Sequence, residues 1–167
     1  MMSRRGLGTA AAALLLARPA HAALAPLHGP VVLTVDGKVA PDLTAGGALF
    51  DMQMLDALRQ GRFYGETPWT RGKTEFTGPL LSAVLTAAGA KGKSLEMRAL
   101  NDYLVTVPLA DAFTWSVIIA TRRDGSAMRI RDKGPLWVVY PMDSDSRLRN
   151  EAIYARCAWQ LARITVS

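Results

Sequence analysis

The stretch that decides the fold is Lys133-Gly134-Pro135-Leu136-Trp137-Val138-Val139-Tyr140-Pro141. Within it an unbroken apolar run, Leu136–Tyr140, follows a Gly-Pro loop and ends at a second proline. The run is too short for a buried helix and is rich in valine and aromatic residues, so it predicts a buried strand. The preceding loop places Lys133 and the backbone of Gly134 at the end of that strand, where ligand pockets are often found.

The first residues have the features of an export signal. Met1–Arg5 carry two arginines, Leu7–Ala17 is rich in alanine and leucine, and Ala20-His21-Ala22 is a small-x-small cleavage motif. This pattern predicts a signal peptide over residues 1–22, cleaved after Ala22. Its apolar part is too short to stay in a membrane as a permanent helix.

The same segment bears on the export route and on the domain that remains. Ser3–Leu7 resembles a twin-arginine signal, which exports folded proteins; an ordinary secretion signal with two arginines is the alternative. Cleavage leaves residues 23–167, about 145 residues without repeats or low-complexity segments, enough for one domain with one core. We therefore expect a single exported, periplasmic domain with no membrane segment after cleavage.

Removal of the signal lowers the net charge. The full chain has a formal charge of +6, and without its first three arginines the remaining 17 basic and 14 acidic residues give +3. This excess is spread along the sequence, and no basic stripe with interleaved aromatic residues is visible, so nucleic-acid binding is not expected. The densest basic patch, between Arg122 and Lys133, is either a solvated strand face or a rim that attracts an anion.

Apolar spacing predicts an α+β domain in which strands dominate. Strands are indicated at 31–35, 95–99, 103–107, 117–120, 128–130 and 136–140, and in a last segment that includes Leu161 and Val166. Helices are indicated at 51–59 and 80–88, and around Ala152. Asp36-Gly37 and Asp124-Gly125 predict hairpin turns, the first with a return strand that begins at Lys38-Val39.

Residues that commonly carry catalysis are scarce. After the signal the chain has one histidine, His28, and one cysteine, Cys157, which argues against a catalytic triad, a zinc site or an internal disulfide. No glycine-rich phosphate loop occurs. Asp102 is the one carboxylate in a context that suggests burial, and no second carboxylate pairs with it for acid–base catalysis. We expect Cys157 to be structural and any catalysis to depend on a bound cofactor.

An ordered set of motifs resembles the molybdopterin-dependent oxidoreductase fold of sulfite oxidase, in the form of a small exported stand-alone domain. The motifs are Val35–Val39, Thr67–Thr70, Phe76–Leu81, Ala99–Tyr103 with Val107-Pro108, Asp132–Pro141 and Trp159–Ile164. The match runs over nearly all of residues 23–167. The resemblance implies a mixed, β-rich, sulfite-oxidase-like fold in one compact domain, with molybdopterin as its cofactor.

The chain departs from that family at the metal ligand. In the family one cysteine thiolate binds molybdenum, and its segment corresponds to Phe63–Glu75, which has no cysteine here. Thr67 and Thr70 offer only neutral hydroxyls, which are much poorer metal ligands than a thiolate. Cys157 is expected in the final core strand, far from this segment. No metal ligand is therefore identified, and redox activity does not carry over with the fold.

The resemblance and the loop positions together predict a ligand pocket. Its candidate cofactor-binding residues are Thr67, Trp69, Thr70, Asn101, Asp102, Tyr103, Lys133 and Gly134. Lys133 and the Gly134 amide would meet an anionic group, and Trp69 would stack on a flat ligand. Alternative roles stay open: Trp69 packs under its loop, the threonines satisfy loop backbone, and Asn101-Asp102 fixes a turn.

Two functional hypotheses follow. The first is an exported domain that binds a pterin-type or other small anionic ligand, or an unknown protein partner, without redox catalysis. The second is a small periplasmic molybdopterin-dependent oxidoreductase that keeps its cofactor and its activity. A shared fold does not separate them. The sequence assigns no catalytic residue, substrate or electron acceptor.

Overall fold

Strands dominate the part of the chain that the computed structural model describes, residues 24–40, 43 and 46–167. The strands are β1 (Leu33–Gly37), β2 (Ala48–Phe50), β3 (Gln60–Gly65), β4 (Thr74–Pro79), β5 (Ser94–Ala99), β6 (Leu104–Pro108), β7 (Ile118–Ala120), β8 (Arg122–Arg123), β9 (Ser126–Ala127), β10 (Trp137–Val139) and β11 (Leu161–Val166). The helices are α1 (Met52–Ala57), α2 (Leu81–Ala87), α3 (Asp111–Thr114) and α4 (Glu151–Arg156). Short 3-10 helices span Ile130–Asp132 and Ser146–Leu148. The predicted α+β class is confirmed, and the predicted signal peptide lies outside the described residues.

The strands form three sheets. The largest has the order β2-β1-β11-β5-β6, a second has the order β3-β4-β8-β9, and the third pairs β10 with β7. β1 and β11 run parallel, and the other paired strands run antiparallel. The C-terminal strand β11 therefore lies at the centre of the largest sheet, between β1 and β5.

The predicted strand at Leu136–Tyr140 is confirmed. β10 covers its middle, and each of the five residues is at most 2% exposed. Its partner β7 is buried along its whole length as well. Because both strands are covered on both faces, their sequences are continuous apolar runs without polar alternation.

The predicted hairpin at Asp36-Gly37 is wrong. The antiparallel partner of β1 is β2, which begins at Ala48, and Lys38 instead donates its backbone N–H to the carbonyl of Val166. A Cβ atom on Gly37 would lie 2.2 Å from that same carbonyl oxygen. The glycine is therefore required by the close approach of β11 and by its left-handed φ of 82°, and not by a hairpin turn.

The second predicted hairpin is partly confirmed. Asp124-Gly125 does connect β8 to β9, but the strand does not continue through Met128 and Ile130. Met128 is buried, whereas Ile130 begins a 3-10 helix and is 58% exposed. The arginines of this segment therefore do not form one strand face.

The predicted helices exist within shorter bounds. Asp51 precedes α1 as its N-cap and accepts a hydrogen bond from the backbone N–H of Met54 at 2.8 Å. The same carboxylate accepts the backbone N–H groups of His28 and Gly29 and so ties the leader to the domain. Within the described ranges no helix is both long and apolar enough to cross a membrane.

Phe76 offers a direct test of the core. Its side chain is fully buried and packs edge-on against Trp137, with ring centroids 5.1 Å apart. Phe76→Ala should lower the free energy of unfolding by about 3–5 kcal/mol, because the cavity it leaves cannot fully collapse. Phe113, which is 61% exposed, is the matched control, and Phe113→Ala should change stability by less than about 0.5 kcal/mol. Urea denaturation measures both; equal losses would contradict this account of the core.

The Asp51 cap predicts a loss of stability in acid. Its hydrogen bonds from Met54 and His28 lower the pKa of the carboxyl in the folded state. The resulting stabilisation is therefore complete above the ordinary aspartate pKa of about 3.9 and is lost as the pH falls through the lower folded value. Wild type should unfold at a higher temperature than Asp51→Asn at pH 7, with the difference shrinking below about pH 4. A difference that is the same at every pH would contradict a role for the charge.

Candidate functional site

Aromatic side chains from distant parts of the chain meet beside β10. The ring of Trp69 lies 5.8 Å from Trp137, 5.9 Å from Tyr154 and 5.9 Å from Trp159, measured between centroids. Trp137 and Trp159 are 6.2 Å apart. All four contacts are edge-to-face, the arrangement that aromatic quadrupoles favour. We call these four residues the aromatic cluster.

A cavity of about 290 Å³ opens next to the aromatic cluster. Its lining residues are Trp69, Asn101, Tyr103, Glu151, Tyr154, Ala155, Cys157, Ala158 and Trp159. The lining is mostly apolar, and the volume is close to the lower end of the range for small-molecule sites, about 300–1,000 Å³. The cavity therefore has the size and the mostly apolar lining of a small-molecule site.

Helix α4, which supplies much of the cavity wall, is held at both ends. Asn150 caps its start by accepting a hydrogen bond from the backbone N–H of Ile153 at 3.1 Å. Near its end, Arg156 and the hydroxyl of Tyr140 both donate to the carboxylate of Asp111, at 2.8 and 2.7 Å. Burial and the bond to Asp111 raise the pKa of Tyr140, so the phenol stays protonated and the contact persists. These bonds position the cavity residues of α4 against β10.

Gln160 is hydrogen-bonded to both the loop before β10 and the turn between β5 and β6, which contain predicted pocket residues. Its backbone N–H donates to the carbonyl of Lys133 at 3.0 Å, and its carbonyl accepts the N–H of Leu100 at 2.9 Å. Its side-chain amide donates to the carbonyl of Ile130 at 2.8 Å. The loop before β10 and the turn between β5 and β6 are therefore attached to the same residue, one position after Trp159.

Three of the predicted pocket residues line the cavity. Trp69 is half-buried, so it both packs in the aromatic cluster and presents surface to the cavity. Asn101 also fixes its turn, because its side-chain oxygen accepts the backbone N–H of Tyr103 at 3.2 Å. The hydroxyl of Tyr103 donates to the carbonyl of Ala155 at 2.8 Å and so closes the cavity against α4. Each of these residues has a structural contact as well as a cavity face.

The two predicted threonines are occupied within their own loop. Their hydroxyl oxygens are 2.9 Å apart, and the Thr67 oxygen also accepts the backbone N–H of Trp69 at 3.3 Å. Neither Thr67 nor Thr70 is among the residues that line the cavity. The loop hydrogen bonds hold Trp69 in place, which is the alternative role that the sequence left open.

Two further expectations are corrected. Asp102 is not buried: its side chain is 88% exposed, it lies 3.8 Å from Arg98, and it does not line the cavity. It occupies the left-handed region at φ 64°, which aspartate tolerates in turns. The Gly134 amide is not free for an anion, because it donates to the carbonyl of Arg129 at 2.9 Å. A side chain at Gly134 would collide with the Met128 carbonyl, 2.2 Å from an added Cβ.

Lys133 contacts two rings of the aromatic cluster. Its ammonium nitrogen is 3.9 Å from the ring centroid of Trp159 and 5.8 Å from that of Trp137, distances typical of cation–π contacts. Lys133 is not among the lining residues. The ammonium group of Lys133 therefore contacts the aromatic cluster, and the structure does not place it in the cavity.

Sequence reasoning missed the contribution of α4. Glu151 and Tyr154 are three positions apart and so lie on one helical face, the face that borders the cavity. The sequence carried one indication of this, because a glutamate and a tyrosine three positions apart lie on the same face of a helix. The sequence does not reveal that α4 packs beside the Thr67–Thr70 loop, which is distant along the chain.

The donor atoms near the cavity do not fit a molybdenum ion held by a thiolate. Cys157 is at the cavity wall, but the residue is only 2% exposed and its thiol donates to the carbonyl of Ile153 at 3.4 Å. Burial raises the pKa of this thiol to about 12, so it stays protonated at neutral pH. Cys157 follows α4 and does not lie in the last strand as expected. In the described part of the chain, no three His, Cys, Asp or Glu side chains group as a metal site.

Comparison with known proteins adds no relative, because no protein-family model and no curated protein matches this chain.

The environment of Cys157 predicts an unreactive thiol. Native protein at pH 8 should react with a disulfide reagent far more slowly than protein unfolded in urea, because both burial and protonation protect the sulfur. Colour release from the reagent reports on this residue alone, since the chain has one cysteine. Rapid release from the native protein would show that the thiol is open to the cavity and would contradict the structure.

Proposed function

We propose that this protein is an exported, sulfite-oxidase-like domain that binds a flat, pterin-type ligand in the cavity beside Trp69, without molybdenum redox chemistry. The aromatic cavity is the observation that carries the proposal. Trp69, Tyr154 and Trp159 offer ring surfaces for a planar ligand, and bases or similar rings stacked on such side chains gain about 1–3 kcal/mol each. The ordered motifs that resemble the sulfite oxidase fold favour a pterin among planar ligands.

The chemistry of the donor groups supports binding over redox catalysis. The family ligand is a thiolate, whereas the hydroxyls of Thr67 and Thr70 bond each other and the Cys157 thiol is protonated. When bound, a molybdopterin centre would supply oxygen-atom and electron transfer, but these residues do not fit its metal. What remains is a cavity in which Trp69 and Tyr154 orient a ligand and Tyr103 covers it.

The second hypothesis, a small periplasmic molybdopterin-dependent oxidoreductase, is favoured by one feature of the sequence. The twin-arginine-like segment Ser3–Leu7 suits a protein that folds around its cofactor before export. Expression of the full precursor separates the two proposals. The host should make molybdopterin and have twin-arginine export, and the purified protein should be assayed for molybdenum and for fluorescent oxidised pterin. Pterin without molybdenum supports the binding domain. Near-stoichiometric molybdenum supports the oxidoreductase and overturns the proposal of a binding domain without redox chemistry.

Titration with pterin itself tests the cavity. Tyr154→Leu should weaken binding about 5- to 150-fold, because it removes a stacking surface worth about 1–3 kcal/mol. Tyr64→Leu is the matched control, since Tyr64 is 62% exposed on β3 and does not line the cavity. Quenching of the pterin's own fluorescence measures affinity, and thermal unfolding checks that both variants remain folded. Equal affinities of folded wild type and Tyr154→Leu would contradict this site.

A further inference from the structure

The charge in the cavity is negative. Glu151 is the first residue of α4, it is exposed, and its side chain belongs to the cavity lining. Over the residues that the structure describes, no hydrogen bond or ion pair reaches its carboxylate. The other lining residues are of neutral types, namely tryptophan, asparagine, tyrosine and alanine, together with Cys157, whose burial raises the pKa of its thiol. A ligand in this cavity therefore meets aromatic rings and one free carboxylate.

A basic side chain that contacts the aromatic cluster does not contribute to the cavity lining. Lys133 places its ammonium group on the Trp159 ring and does not line the cavity. An anion that entered would approach Glu151, and the cavity lining offers it no basic side chain. A ligand with N–H donors would instead meet an acceptor that is already in the wall.

We propose that the cavity selects flat ligands with an amidine-type edge, in which two nitrogens bonded to one carbon present N–H donors side by side. Glu151 is the residue that recognises this edge. A carboxylate accepts two parallel N–H bonds from such a group, as it does from a guanidinium. The group is either a charged amidinium or the neutral amino-pyrimidine edge of a pterin. A positive charge gains further from the rings of Trp69 and Tyr154. This inference rests on the proposed binding function and adds the chemical class of the ligand.

The competing surface sites are less suited to such a ligand. A second depression, lined in part by Glu66, Lys73 and Arg149, carries both charges, and its Asp143 is already paired with Arg149 and accepts the backbone N–H of Glu66. It has no aromatic wall. Its carboxylates nevertheless make it the right place for a control.

Three flat probes of nearly equal shape test the inference: benzamidine, benzamide and benzoate, which carry charges of +1, 0 and −1. Dissociation constants are measured by calorimetry at pH 7 with the mature protein. Benzamidine should bind about 10- to 150-fold more tightly than benzamide, the range given by a charge-assisted hydrogen bond of about 1.5–3 kcal/mol, and benzoate should bind weakest. Added salt should weaken benzamidine more than benzamide.

Two variants place the effect on one residue. Glu151→Gln keeps the size of the side chain and removes its charge, so it should weaken benzamidine far more than benzamide and bring the two affinities close together. Glu66→Gln removes the same charge outside the cavity and should leave the preference intact. Thermal unfolding of both variants excludes a loss of structure as the cause.

The outcomes distinguish this inference from the proposed function. If pterin binds but benzoate equals or exceeds benzamidine, the charge assignment is wrong and the binding function stands. The same holds if Glu66→Gln, and not Glu151→Gln, removes the preference. If neither pterin nor any of the three probes binds, both proposals fail together.

Discussion

The packing of Trp137 is the contact on which the rest of the structure depends. Its indole is buried in β10, donates its N–H to the carbonyl of Cys157 at 3.2 Å and touches the rings of Phe76, Trp69 and Trp159. One side chain therefore connects β10 to β4, to the Thr67–Thr70 loop and to the segment after α4. A buried indole whose N–H had no acceptor would cost about 1–3 kcal/mol, so the backbone after α4 must approach the strand at this point. The cavity lies where these segments meet.

The same arrangement determines which groups line the cavity. The threonine hydroxyls satisfy the loop that presents Trp69, and burial keeps the one cysteine protonated. These contacts stabilise the walls of the cavity, and the cavity is not offered a thiolate by Cys157. Ring surfaces and the Glu151 carboxylate line the cavity, and under the proposed function both would act by recognition.

Local pattern predicted the parts of the fold that depend on neighbouring residues. The apolar run at Leu136–Tyr140 and the Asp124-Gly125 turn are read correctly because their sequences favour one backbone conformation. The hairpin predicted at Asp36-Gly37 is wrong because Gly37 accommodates the backbone of Val166, which lies at the other end of the chain. Asp102 was misread as buried because a polar residue between apolar segments looks enclosed until the turn's direction is known.

For the candidate site, the sequence determined the residue types and some of the positions. Trp69, Asn101 and Tyr103 were predicted from motifs and line the cavity, and the missing cysteine in Phe63–Glu75 was evident without a structure. Tertiary structure alone decided that α4 forms the opposite wall, that Glu151 supplies the free charge and that Lys133 rests on Trp159. The physical reason is separation along the chain. Contacts between residues dozens of positions apart depend on how sheets and helices pack, and neither propensity nor periodicity encodes that packing locally.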